Sequence, residues 1–123
     1  MLLVRSYINV ADNSCATLVG LFAVNGKNGR RFARVGDVVA CSVKRASSSG
    51  KIKKGAKVYG VIVRTRKETN RPDGSSIKFS DNAVVLINHK TKDPVGSRVF
   101  GPVSRELRDL GYNKIISLAE EVL

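Results

Sequence analysis

Residues 57–87 read KVYGVIVRTRKETNRPDGSSIKFSDNAVVLI, and this stretch decides the fold. Its two ends are apolar runs of strand length. Lys57 to Arg66 has Val58, Tyr59, Val61, Ile62 and Val63 at its centre, the β-branched and aromatic types that suit a pleated surface. Ala83 to Ile87 is apolar without interruption, which predicts a strand buried on both faces. Between them, Arg71-Pro72-Asp73-Gly74 is a turn with a mechanism: Pro fixes φ, and Gly accepts the left-handed position. Ser75 to Phe79 leads back, so residues 64–79 are expected to form a hairpin. Its arms carry Arg64, Arg66, Lys67 and Lys78 instead of core residues. Such a ribbon cannot bury itself, so it is expected to project onto a partner.

The pattern continues on either side. Ser6 to Val10 alternates polar and apolar residues, the period of a half-buried strand. Thr17 to Val24 is a second apolar run, ending in Asn25-Gly26 and Asn28-Gly29, dipeptides that favour turns. Gly36-Asp37 opens a third run, Val38 to Val43, and Ser47-Ser48-Ser49-Gly50 reads as a short loop. Pro94-Val95-Gly96 and Gly101-Pro102 read as breaks. Helix chemistry comes only afterwards. Ser104 is a candidate N-cap for Arg105 to Leu110, with Gly111 as the stop, and a second helical turn is expected near Ser117. Five or six short strands and a small helical tail predict a mainly β chain: a closed barrel with a C-terminal helical extension. The single domain divides into a barrel over about 1–93 and a C-terminal loop and helical part over about 94–123.

The charge is segregated. Residues 27–78 hold fifteen bases against three acids, which accounts for the whole net charge of +12; the segments on either side are each neutral. A phosphate-rich partner gives a reason for that distribution, because each neutralised phosphate releases condensed counterions. With 42% hydrophobic residues the chain of 123 is no disordered basic tail, and no stretch approaches the roughly 18 apolar residues of a membrane helix. Met1-Leu2-Leu3-Val4-Arg5 is neither a secretory h-region nor an Arg/Ser-rich transit peptide. Two cysteines, Cys15 and Cys41, fit a reducing compartment and read as small buried apolar residues.

Catalysis has no foundation in the sequence. The single histidine, His89, has no positioned partner, the cysteines lie far apart, and no metal-ligand spacing occurs. Gly20 and Gly26-Lys27 depart from the phosphate-loop spacing, and Asn28 stands where a Mg-binding hydroxyl is needed. No enzyme activity, cofactor, metal or small-molecule substrate is expected. The expected chemistry is electrostatic. Lys44, Arg45, Lys51, Lys53 and Lys54 flank the serine loop, and Arg64, Arg66, Lys67, Arg71 and Lys78 decorate the hairpin. Cations alternating along a strand would share one face about 6.5–7 Å apart. Seven aromatics (Tyr7, Phe22, Phe32, Tyr59, Phe79, Phe100, Tyr112) are dispersed along the chain, which favours backbone and shape recognition of folded RNA over base stacking. A free-standing nucleic-acid-binding barrel is the competing class.

Longer motifs are more specific. Gly60-Val61-Ile62-Val63, then Asp73-Gly74, Phe79, Asn82 and Val85-Leu86 have the spacing of the signature of the large-subunit ribosomal protein L-fourteen family, bacterial type, which the chain resembles. Val10-Ala11-Asp12-Asn13-Ser14, Gly50-Lys51-Ile52-Lys53-Lys54-Gly55 and Gly96-Ser97-Arg98-Val99-Phe100-Gly101-Pro102-Val103 with Arg105-Glu106-Leu107-Arg108 are similar too. The resemblance implies a five-stranded β-barrel with a projecting β-hairpin and short C-terminal helices. It implies a structural ribosomal protein that binds large-subunit rRNA, with Arg105 and Arg108 joining the rRNA-binding set, and that meets small-subunit rRNA at an intersubunit bridge. Neighbours of the L-three and L-nineteen types and a ribosome silencing factor are implied as partners, the factor at Ser97, Arg98 and Lys114. No membrane partner is implied. Cys15 stands where the family usually has Gly, which challenges any positive-φ geometry there. Together with an atypical stretch at 25–34, it points to an organellar, mitochondrial ribosome, with the bacterial cytoplasm as the alternative.

Overall fold

The computed structural model describes residues 2–3, 6–24, 32–47, 50 and 52–123. In chain order the elements are β1 (Leu2–Leu3), β2 (Tyr7–Val10), β3 (Ala16–Val24), β4 (Phe32–Ala33), β5 (Val38–Ala46), β6 (Lys57–Arg64), β7 (Thr69–Asn70), β8 (Ser76–Ile77), β9 (Ala83–Ile87), β10 (Val99–Val103), α1 (Glu106–Asp109), α2 (Asn113–Leu118) and β11 (Ala119–Val122). Five strands close a barrel in the order β2-β3-β5-β6-β9. Neighbours run antiparallel except at the closure, where β2 and β9 pair in parallel through Asn9 with Ala83 and Val10 with Val84. Closure leaves no long unpaired edge in the barrel. Gly60 permits it locally, since a Cβ there would lie 2.5 Å from Val84 Cγ2.

Alternation builds two cores from the same strands. Inside the barrel, Ile8, Val19, Leu21, Val39, Cys41, Val43, Ile62, Val84 and Leu86 pack together. On the outer face of β6 and β9, Val61, Val63, Val85 and Ile87 are covered by Val99, Val103, Leu107 and Ile115. The Ala83–Ile87 run is therefore buried on both faces, as its unbroken apolar sequence predicts.

The C-terminal region differs from its sequence reading in three places. The Gly-Pro stretch read as a break is β10, which pairs in parallel with β11; the register slips between Val99 and Pro102, where Gly101 takes φ +77°. Ser104 is not the N-cap. The N-cap position falls one residue later, at Arg105, with no side-chain cap, so α1 begins at Glu106, and the Ser104 hydroxyl donates to the Glu106 carboxylate. The second helix precedes Ser117: α2 starts at Asn113, and the Ser117 hydroxyl donates to the Lys114 carbonyl in its last turn. β11 escaped sequence reading because Ala-Glu-Glu-Val is short and its pairing partner lies far back in the chain.

Outside the barrel, β7 and β8 form the expected hairpin around the 71–74 turn, with only two residue pairs in its ladder. Asp73 Oδ1 accepts from the Ser75 backbone N–H at 3.0 Å and from the Ser75 hydroxyl at 2.6 Å, and Gly74 sits at φ +90°. The two Asn-Gly turns after β3 lie outside the described residues.

Candidate nucleic-acid interface

Lys44 and Arg45 end β5, where both are exposed. Residues 52–56 are fastened underneath. Ile52 and Ala56 pack against the barrel core, Gly55 N–H donates to the Val43 carbonyl at 2.8 Å, and Val43 N–H donates to the Ala56 carbonyl at 2.9 Å. Lys53 and Lys54 are thereby held outward on an anchored turn. Lys51 lies outside the described residues. Arg66, Lys67 and Lys78 are exposed on the hairpin arms. The backbone there is fixed by Arg66 N–H donating to Asn82 Oδ1 at 2.9 Å and Phe79 N–H donating to the Thr65 carbonyl at 3.0 Å. Arg105 and Arg108 are exposed on and beside α1.

Two of the expected RNA-binding cations are turned inward. Arg64 is 11% exposed; Nε donates to Asp81 Oδ1 at 2.7 Å, Nη2 to Asp81 Oδ2 at 3.2 Å, and Nη1 to the carbonyls of Phe100 and Pro102 at 3.0 Å each. This fork ties β6 to β10 and holds the Asp81 carboxyl below the usual carboxylate range, chiefly through its hydrogen bond. Arg71 is 10% exposed. It donates to Glu106 Oε1 and to the Leu123 carbonyl, each at 2.5 Å, and so ties the hairpin tip to α1 and to the residue after β11. The ribbon does leave the barrel, yet its tip is docked on the chain's own C-terminal region. Nor do the cations alternate along one strand, because β6 ends at Arg64 and residues 65–68 are loop.

A second surface joins segments far apart in sequence. Asn13 Oδ1 accepts from the backbone N–H groups of Ser97 at 2.9 Å and Arg98 at 3.2 Å, while its Nδ2 donates to the Ser97 hydroxyl at 3.0 Å. Asp12 beneath it is buried. It accepts from Ser14 N–H at 3.1 Å, the Ser14 hydroxyl at 2.5 Å and Leu86 N–H at 3.0 Å, and desolvation pushes its pKa up against those bonds. The motif at 10–14 and the motif at 96–103 are thus halves of one structure. Arg98 lies over the Phe100 ring, 5.7 Å from its centroid. Lys114 is held elsewhere, on α2: Ile115 is buried in the outer core, and Lys114 Nζ donates to Asp93 Oδ1 at 2.7 Å, four residues before Ser97 in the chain. That bond draws the Asp93 carboxyl below its ordinary range.

The aromatics, dispersed in sequence, are partly gathered in space. Tyr7, Phe22 and Tyr59 come from three different barrel strands onto the outer surface, and Lys57 Nζ sits 5.6 Å from the Phe22 ring centroid and 5.5 Å from that of Tyr59. His89 stacks on Tyr59 with centroids 4.1 Å apart. Strand order, which the sequence does not print, brings them together. Cys41 is buried in the barrel and its thiol is pushed up to about 12 by desolvation. Among the described residues no group of three His, Cys, Asp or Glu side chains gathers to hold a metal, and no helix is long and apolar enough to cross a membrane.

These features explain why distant motifs act as one pattern: the 60–86 signature is the β6-hairpin-β9 unit, and the 10–14 and 96–103 motifs interlock beside it. The pattern extends over the entire length, for the model of the family Ribosomal protein L14p/L23e matches residues 1–123. The chain belongs to this ribosomal protein family, which makes it a structural, non-enzymatic protein of the large ribosomal subunit that binds rRNA.

Proposed function

We propose that the rRNA-binding surface consists of Lys44, Arg45, Lys51, Lys53 and Lys54 around the serine loop, with Arg66, Lys67 and Lys78 on the hairpin and Arg105 and Arg108 beside it. The observation that carries it is the split among the bases. Lys53, Lys54, Lys67 and Lys78 are exposed, whereas Arg64 and Arg71 are consumed by carboxylates and carbonyls of the chain itself. Exposed cations on an anchored backbone are pre-positioned for phosphate. Arg64 and Arg71 act one step behind, holding the hairpin where its lysines can reach RNA.

The neutral C-terminal region is assigned to contacts other than bulk phosphate binding. Ser97 and Arg98, held by Asn13, with Lys114 on α2, form the face for a ribosome silencing factor and lie toward the intersubunit bridge with small-subunit rRNA. Neighbours of the L-three and L-nineteen types adjoin the protein in the subunit. We assign the ribosome to an organelle, the mitochondrion, with the bacterial cytoplasm as the alternative, on the departures at Cys15 and 25–34.

One pair of variants tests the division. Replacing Lys51, Lys53 and Lys54 by Ala should weaken rRNA binding and flatten its salt dependence by about 0.7–0.9 log units of slope per lost phosphate contact. Arg98→Glu with Lys114→Glu should leave entry into the large subunit nearly intact and weaken the silencing factor. An unchanged salt slope in the first variant, or a folded second variant that fails to enter the subunit, overturns the assignment.

A further inference from the structure

We infer that the outer face of β2, β3, β5 and β6 is a seat for unstacked nucleotides of single-stranded RNA, adjoining the lysine surface that takes folded RNA and sharing Lys44 with it; this rests on the rRNA-binding reading above. The register sets out the face. Tyr7 pairs with Gly20, Gly20 with Ser42, and Ser42 with Lys57, so these four side-chain positions form one row across four strands. Directly paired residues point to the same side of a sheet, and here that side is solvent. Tyr7 is 65% exposed and Phe22 44%.

The two small residues in the row leave a depression of about 290 Å³, lined by Tyr7, Gly20, Leu21, Phe22, Ser42 and Lys44. Gly20 is its floor: a Cβ there would lie 3.0 Å from Lys44 Cε and 3.6 Å from the Tyr7 ring. Tyr7 and Phe22 are diagonal neighbours, with backbones about 7–8 Å apart. That separation leaves room for a planar ring between or across them. Beyond Phe22 the surface continues through Lys57, which is within 6 Å of two ring centroids, to the Tyr59 and His89 stack.

Folding does not require this arrangement. Single exposed apolar residues are ordinary, but Tyr7 and Phe22 stand exposed on neighbouring strands with Lys44 and Lys57 among them, and the surface runs on to Tyr59, which is half-buried against the outer core and stacked on His89. Among the described residues lining the depression none is a carboxylate, and none forms an ion pair with Lys44 or Lys57. Rings for bases and ammonium groups for the connecting phosphates are what sequence-tolerant binding of single strands uses. A duplex offers its bases only at the edges, so this face would discriminate between RNA forms where the lysine loop does not.

The chain contains three tyrosines and no tryptophan, and Tyr7 and Tyr59 are on this face, so tyrosine emission reports on it directly. The probes are an adenosine ribo-oligonucleotide of about six nucleotides and an RNA duplex of about 16 base pairs. The oligonucleotide should quench the emission of the wild-type protein. Tyr7→Leu with Phe22→Leu should weaken its binding about tenfold or more and leave duplex binding within about twofold. Both residues are exposed, so the variant's unfolding midpoint should match the wild type, and Gly20→Leu, which fills the floor, should reproduce the loss. Equal oligonucleotide binding by variants and wild type overturns the inference. So does wild-type binding of the duplex without the oligonucleotide, an outcome that leaves the lysine surface standing, whereas binding of neither RNA overturns the rRNA surface itself. In assembled large subunits, photo-crosslinks from position 22 to a nucleotide support the seat; crosslinks to a protein show that a protein partner covers it and overturn the proposal.

Discussion

Cys15 holds φ at +80°, a left-handed conformation that costs an ordinary residue about 1–2 kcal/mol. Its side chain lies over Gly50, where an added Cβ would be 2.1 Å from Sγ. The backbone geometry that suits glycine is therefore kept with cysteine in place, and Gly50 provides the space. Cys15→Gly should raise stability by about 1 kcal/mol, read as a higher urea midpoint at unchanged slope. Gly50→Ala should be destabilising alone and much less so when combined with Cys15→Gly; additive effects in that double-mutant cycle would show that the two positions are not in contact. Acid behaviour is also set by single residues. Asp81 has its folded pKa lowered by Arg64, so its stabilising contribution is complete above the ordinary carboxylate value near 3.8 and is lost as pH falls through the lowered one. Asp12 has its pKa raised by burial and acts in the opposite sense, its cost growing as pH rises through the raised value. Asp81→Asn should consequently flatten the acid limb of a stability-pH curve. A curve as steep as that of the wild type below pH 4 would show that Asp81 does not shape it.

At the scale of elements, the hairpin separates stability from affinity. Its two-rung ladder is too short to stand alone, and a two-stranded ribbon without packing is marginal in water. Arg71 supplies the missing anchor through Glu106 and the Leu123 carbonyl. Arg71→Ala should cost about 1–3 kcal/mol, because it leaves the partly buried Glu106 carboxylate without its cation. Hydrogen exchange over residues 69–77 should accelerate in that variant. Lys78→Ala, exposed on the returning arm, should leave stability and exchange unchanged and lower RNA affinity. Equal loss of stability in both variants would show that the inward and outward cations of the hairpin have no such division of labour. The same logic explains which cations the sequence could sort. Arg66, Lys67 and Lys78 look like Arg64 and Arg71 in a linear reading; only the approach of β10, α1 and β11 distinguishes them.

For the whole molecule, the outer core joins the barrel and the C-terminal region into a single cooperative unit. Val85 and Ile87 alternate with Val84 and Leu86 on the same strand, so loss of either core loosens the other. Ile115→Ala, in α2, should cost about 2–4 kcal/mol and shift one shared unfolding transition. Two separated transitions would mean that the two cores melt independently. Much of this architecture was legible in the residues alone. Period-2 alternation showed β2, apolar runs of strand length showed β3, β5, β6 and β9, and the Pro-Asp-Gly turn showed the hairpin, because side-chain patterning and turn stereochemistry are local properties written into neighbouring residues. Charge segregation and the long motifs gave the RNA partner and the family. β10 and β11 were hidden, since Gly-Pro and Glu-Glu have little intrinsic strand preference and pair only because the outer core brings them together. The aromatic row and the inward arginines were hidden for the same reason. By itself the sequence determined the barrel strands, the turn, the sign of the charge and the family; the tertiary structure alone decided which cations face water and which rings share a face, because those depend on contacts between residues tens of positions apart, closed by the barrel and not by any local preference.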